Sequence, residues 1–142
     1  GCYWGVQSLF DKVPGVVETT AGTSDGAETV QLTFDPEVVS YDSLLKLFFA
    51  SHDPSPFRAT GDKAHPSGKY RCQIFALDST QRADALRVKA LVDGDVATPI
   101  VDARAFDPAP DAEQHFYRRR KGRPPEKVSL ADLAALPVKL ED

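Results

Sequence analysis

Apolar positions along this chain change period several times, and each change marks an element. From residue 2 onward the stripe Val6, Leu9, Phe10 and Val13 keeps the three-to-four spacing of a helix with one buried face, and Pro14-Gly15 ends it. Val16 to Thr20 reads as a short strand closing at Ala21-Gly22, followed by the turn-rich Thr23-Ser24-Asp25-Gly26. From Glu28 the period falls to two. Glu28, Val30, Leu32 and Phe34 share one face and Thr29, Gln31 and Thr33 the other, which predicts a half-buried strand. Ser40 caps a second helix with Leu44, Leu45, Leu47, Phe48 and Phe49 on a broad apolar face, and Pro54 takes the chain out of it near Ser51-His52-Asp53. Pro56, Gly61, Pro66 and Gly68 make 55–69 a loop, which delivers the chain to a strand from Lys69 to Leu77. A helix from Ser79 to Val92, a strand from Pro99 to Phe106, a helical stretch from Asp111 to Arg120 and a short helix from Ser129 to Leu136 complete the reading.

The order helix, strand, strand, helix, strand predicts an α+β fold, a ferredoxin-like split βαβ sandwich lacking its first strand. That strand is expected before Gly1, and the absence of any methionine suggests that a leading segment is missing. The 142 residues suit a single domain over 1–142, with an irregular C-terminal extension from about 107. A net charge of −4 argues against a nucleic-acid partner. The basic run Arg118-Arg119-Arg120-Lys121 with Arg123 lacks interleaved aromatics and reads as a solvated helix end. No apolar run approaches the roughly 20 residues that span a bilayer, so no membrane partner is expected. Two cysteines without a CxxC pair give neither a disulfide framework nor a zinc site; a reducing, cytoplasmic setting and a monomer are expected.

Candidate chemistry begins with Gly1-Cys2-Tyr3-Trp4-Gly5. Cys2 stands at the amino end of a helix, where unpaired N–H groups and the positive end of the dipole favour thiolate over thiol. The plain alternative is a small buried hydrophobe, the usual fate of a lone cysteine. Glu28 heads an apolar row, where desolvation favours the neutral carboxyl group and leaves a proton to give. A strand-end glutamate that simply reaches water is the competing reading. Cys72 alternates onto the same face as Tyr70. His52 fits a helix-ending role and His65 a solvated loop.

Gly-Cys-Tyr-Trp-Gly closely resembles the Gly-Cys-Phe-Trp-Gly signature of the peptide methionine sulfoxide reductase A family. The run from Gly26-Ala27-Glu28 to Asp35-Pro36 is similar to that family's Gly-His-Ala-Glu strand and Asp-Pro turn, although no histidine precedes Ala27 and the loop before the strand is short. Tyr70-Arg71-Cys72 resembles its Tyr-Arg-Ser strand, with Cys72 in the serine position, and His115-Phe116-Tyr117 is only loosely similar to its C-terminal Tyr-His-Gln region. The resemblance implies that Cys2 attacks the sulfoxide sulfur, that Glu28, assisted by Tyr70, protonates the oxygen, and that Tyr3 and Trp4 hold the methyl group. It also implies Asp62 as a binding residue. The expected activity is thiol-dependent reduction of methionine-S-sulfoxide, free or in peptides, through a sulfenic acid on Cys2. No metal or organic cofactor is implied; thioredoxin or another thiol supplies the electrons, with Cys72 as a possible resolving cysteine. Two alternatives stay open. One is a non-catalytic module that binds methionine-containing peptides, and the other is a thiol hydrolase pairing Cys2 with His65.

Overall fold

The computed structural model describes residues 3–51, 73–92, 96 and 98–121. The 55–69 loop, the first half of the strand expected from Lys69 and the helix expected from Ser129 lie outside them. Helix α1 spans Tyr3–Asp11 and leads into strands β1, Val16–Ser24, and β2, Ala27–Phe34, which pair antiparallel. Between them only Asp25 and Gly26 turn the chain, both with positive φ (50° and 74°), and such a two-residue turn matches the twist of the strands it joins. The strand β1 therefore runs past Thr20 to Ser24, because Thr23 pairs with Glu28 and Ser24 with Ala27 on one edge. On its other edge Gly22, Thr23 and Ser24 pair with β5, Phe106–Pro108. Pairing on both edges overrides the turn propensity of Thr23 and Ser24.

Helix α2, Tyr41–Ser51, starts where Ser40 Oγ accepts the Ser43 N–H at 3.0 Å; helix α3, Ser79–Leu91, starts where Asp78 accepts the Gln81 N–H at 2.8 Å. α2 belongs to two clusters at once. Leu44 and Leu47 pack with Phe10, Val13 and Val39, whereas Leu45 and Phe49 pack with Ala85 and Val88 of α3. Burying both faces of one helix ties the halves of the molecule together, and this is why its apolar stripe is so broad.

The strand expected from Pro99 to Phe106 is two strands in two sheets. β4, Ile100–Asp102, runs parallel to β3, Ile74–Ala76, while β5 joins the sheet ordered β2-β1-β5. Residues of β2 and β3, with α1 and α2, line a cavity of about 300 Å³ between the sheets. The helix expected over Asp111–Arg120 is also broken: a 3-10 turn at Asp111–Glu113 and helix α4, Phe116–Lys121, flank Gln114 and His115, the latter with φ of 50°. Among the described residues no helix is long and apolar enough to cross a membrane.

Gly22 permits the close approach of β5, since a Cβ there would lie 2.2 Å from Asp107 O and 2.6 Å from Phe106 Cζ. Gly22→Ala is expected to lower stability by about 1–3 kcal/mol through overpacking, measured by urea unfolding. An unchanged midpoint would show that β5 shifts without cost.

Candidate active site

The head of β2 and the first turn of α1 meet directly. The Tyr3 N–H donates to Glu28 Oε1 at 3.1 Å, and Glu28 is only 8% exposed. Because the hairpin turn is two residues long, Glu28, the second residue of β2, comes soon after it and lies against the start of the helix. There it satisfies one of the N–H groups that no helix can pair internally, and it faces the positive end of the dipole. Tyr3 and Glu28 both line the cavity between the sheets. Cys2, the residue before Tyr3, lies outside the described residues, as do Asp62, Tyr70, Cys72, His52 and His65.

Trp4 looks the other way. Its indole N–H donates to Glu113 Oε2 at 2.7 Å, and its ring stacks on Phe116 with centroids 3.9 Å apart and planes 9° from parallel. Tyr117 meets the same indole edge-on at 6.5 Å. Neighbouring residues of a helix diverge by about 100°. Among the described residues Tyr3 lines the cavity, and the Trp4 indole packs on α4.

Behind Trp4 on the same side of α1, Gln7 and Asp11 are buried and polar. Gln7 Nε2 donates to Thr19 O and to Gln114 Oε1, both at 3.2 Å, while Gln7 Oε1 accepts the His115 N–H at 2.8 Å. Gln114 donates to Ala21 O (2.8 Å) and Ala109 O (3.0 Å) and accepts the Ala21 N–H (2.8 Å). Asp11 accepts the Thr19 hydroxyl at 2.5 Å and lies 2.6 Å from His115 Nδ1. These bonds explain the broken helix, because Gln114 and His115 spend their polar groups on α1 and β1. Period counting does not find Gln7, Asp11, Glu113 or Gln114. The available signal was two polar residues four apart beside the apolar stripe of α1.

Arg118 and Arg119 are exposed on α4, as a solvated helix end requires. Tyr41, on the cavity wall, has its hydroxyl pKa pushed up, first by burial and then by the charges of Asp84 and Asp78, so it stays neutral. Among the described residues no group of three or more His, Cys, Asp or Glu stands ready to hold a metal ion.

An α+β chain thus sets a buried carboxyl group near the head of its second strand against the first turn of the helix that follows Cys2 in sequence. Residues 20–135 match the family model described as Peptide methionine sulfoxide reductase, and the chain belongs to that family of oxidoreductases. Among its relatives, the peptide methionine sulfoxide reductase MsrA of Methanococcoides burtonii is 33% identical over 144 positions, covering 84% of this chain and 92% of the relative. The MsrA of Mycobacterium ulcerans is 36% identical over 138 positions, covering 84% and 80%. In fold the chain is similar to Mxr1 from Saccharomyces cerevisiae in an unusual oxidized form, with a TM-score of 0.69, 22% identity and coverage of 92% and 84%. Methionine sulfoxide reductase A of Corynebacterium diphtheriae gives a TM-score of 0.68 at 23% identity, covering 85% and 72%. The relatives carry an enzyme's name, and the non-catalytic alternative gains no support from them.

Gln7→Leu removes the partner of the His115 N–H and one partner of Gln114 without adding any. A loss of about 2–3 kcal/mol is expected from the buried groups left unpaired, read by chemical denaturation. A change under about 0.5 kcal/mol would mean that water replaces the amide.

Proposed function

We propose that the chain reduces the S epimer of methionine sulfoxide, free or in peptides, with Cys2 as nucleophile and Glu28 as general acid. The observation that carries the reading is the hydrogen bond from the Tyr3 N–H to buried Glu28, which supports an acid and a thiol one residue apart from a common anchor. The Cys2 thiolate attacks the electrophilic sulfur while Glu28, assisted by Tyr70, protonates the oxygen. The hydroxyl then passes from the substrate sulfur to the Cys2 sulfur as the bond between the two sulfurs breaks, so that the substrate sulfur gains two electrons and leaves as methionine while Cys2 becomes a sulfenic acid. A thiol then displaces that oxygen as water and forms a disulfide, and a second thiol releases Cys2. Tyr3 and Trp4 hold the methyl group, and Asp62 contributes to binding.

Thiols supply both electrons in this cycle, so no metal or organic cofactor takes part. A thioredoxin-like dithiol is the fitting reductant, and a reducing compartment such as the cytoplasm would hold it. The chain acts as a monomer and as a single domain. Cys72 is the internal candidate for resolution, but a strand cysteine seldom travels to a helix start, and we favour an external thiol.

Glu28→Gln keeps an oxygen for the Tyr3 N–H, so the fold should survive while the acid is lost. Single-turnover reduction is expected to slow by about 10² to 10⁴, and a slowing of only about two- to threefold would remove Glu28 from the mechanism. After one turnover without reductant, mass spectrometry should find a gain of one oxygen on Cys2. A loss of two hydrogens, with a peptide joining Cys2 to Cys72, would assign resolution to Cys72.

A further inference from the structure

We infer that Glu113 and Phe116 are positioning residues, which clamp the Trp4 indole in the orientation that receives the substrate's methyl group. This rests on the reading that Trp4 touches substrate. Trp4 sits in the first turn of α1, where few helical neighbours restrain a side chain, and fixing its ring costs rotamer entropy. Two contacts from the far end of the chain fix it. The indole has a single polar group, a donor, and it is spent on the Glu113 carboxylate at 2.7 Å, a short charge-assisted bond. One ring face is covered by Phe116 at 3.9 Å, and Tyr117 closes on the ring edge-on. A bond at the ring's edge and a stack on its face together restrain both side-chain torsions of the indole.

The clamp is itself held. Glu113 precedes and Phe116 follows Gln114-His115, the pair that the buried bonds of Gln7, Asp11 and Ala21 fasten to α1 and β1. Glu113 and Phe116 thus stand on either side of an anchored kink, at a separation set by the positive φ of His115. Nothing in the proposed reaction uses Glu113 as acid or base. Its part is to hold Trp4 where binding needs it.

Trp4 is the protein's single tryptophan, so intrinsic emission reports the clamp alone. Steady-state reduction of N-acetylmethionine sulfoxide and acrylamide quenching would be measured for Glu113→Ala, Glu113→Gln, Phe116→Leu and Trp4→Leu. For Glu113→Ala and Phe116→Leu, KM should rise about five- to tenfold with kcat within about twofold, the signature of lost binding rather than lost chemistry. Quenching of Trp4 should increase in both, and Glu113→Gln, which keeps an acceptor, should restore KM and quenching. If Trp4→Leu raises KM while neither clamp variant does, the clamp inference fails and the role of Trp4 stands. If Trp4→Leu leaves KM unchanged, the reading of Trp4 fails and takes the inference with it. Should Glu113→Ala not fold, Phe116→Leu, which keeps apolar contact but not the stack, decides by the same split.

Discussion

A pair of buried amide side chains, Gln7 on α1 and Gln114 more than a hundred residues later, is the contact on which the rest of the site depends. Each uses both ends of its amide: Gln7 on Thr19, His115 and Gln114, and Gln114 on Ala21, Ala109 and Gln7. In a low-dielectric interior such a network is favourable only when all members are satisfied, and it then admits one arrangement of the elements that supply them. That arrangement sets α1 against β1 and lays the segment after β5 across both. Apolar packing of Phe10 and Val13 would press the helix on the sheet but would allow it to slide; the amides fix its register.

Given that register, the first turn of α1 is gripped from two sides by two carboxylates. Glu28, from the hairpin, holds the backbone at Tyr3, and Glu113, from the C-terminal segment, holds the side chain of Trp4. The two are not equivalent. Glu28 is buried at the head of a strand and opens onto the cavity, whereas Glu113 ends a 3-10 turn and faces an aromatic stack. The first turn of α1 is thus tied both to β2 and to the segment beyond β5.

How much of this the sequence disclosed depends on how far apart the partners lie. α1, β2, α2 and α3 are written in their own periodicity, because one face of each is buried regardless of what buries it. Periodicity marked Glu28 as the polar head of an apolar row but left a strand end reaching water as the competing reading; the structure buries it. The division of residues 99–106 into β4 and β5 was not, since Ile100–Asp102 and Phe106–Pro108 choose different neighbours, β3 and β1, and neither choice is local. The break at Gln114-His115 escaped similarly. Nothing within a few residues of Gln114 says that its amide will be claimed by Ala21 and Gln7.

The bond between Glu28 and the Tyr3 N–H also bears on how the proposed acid gives up its proton. A neutral carboxyl group accepts that N–H through one oxygen and can donate from the other. When the proton passes to the sulfoxide oxygen, the carboxylate left behind keeps the same partner, and a hydrogen bond to an ionised acceptor is roughly twice as strong as one to a neutral acceptor. The positive end of α1 adds in the same direction. Hence the charge that appears on Glu28 during the step meets a dipole and a donor already in place, with no reorganisation needed, which is the condition under which fixed dipoles lower a barrier.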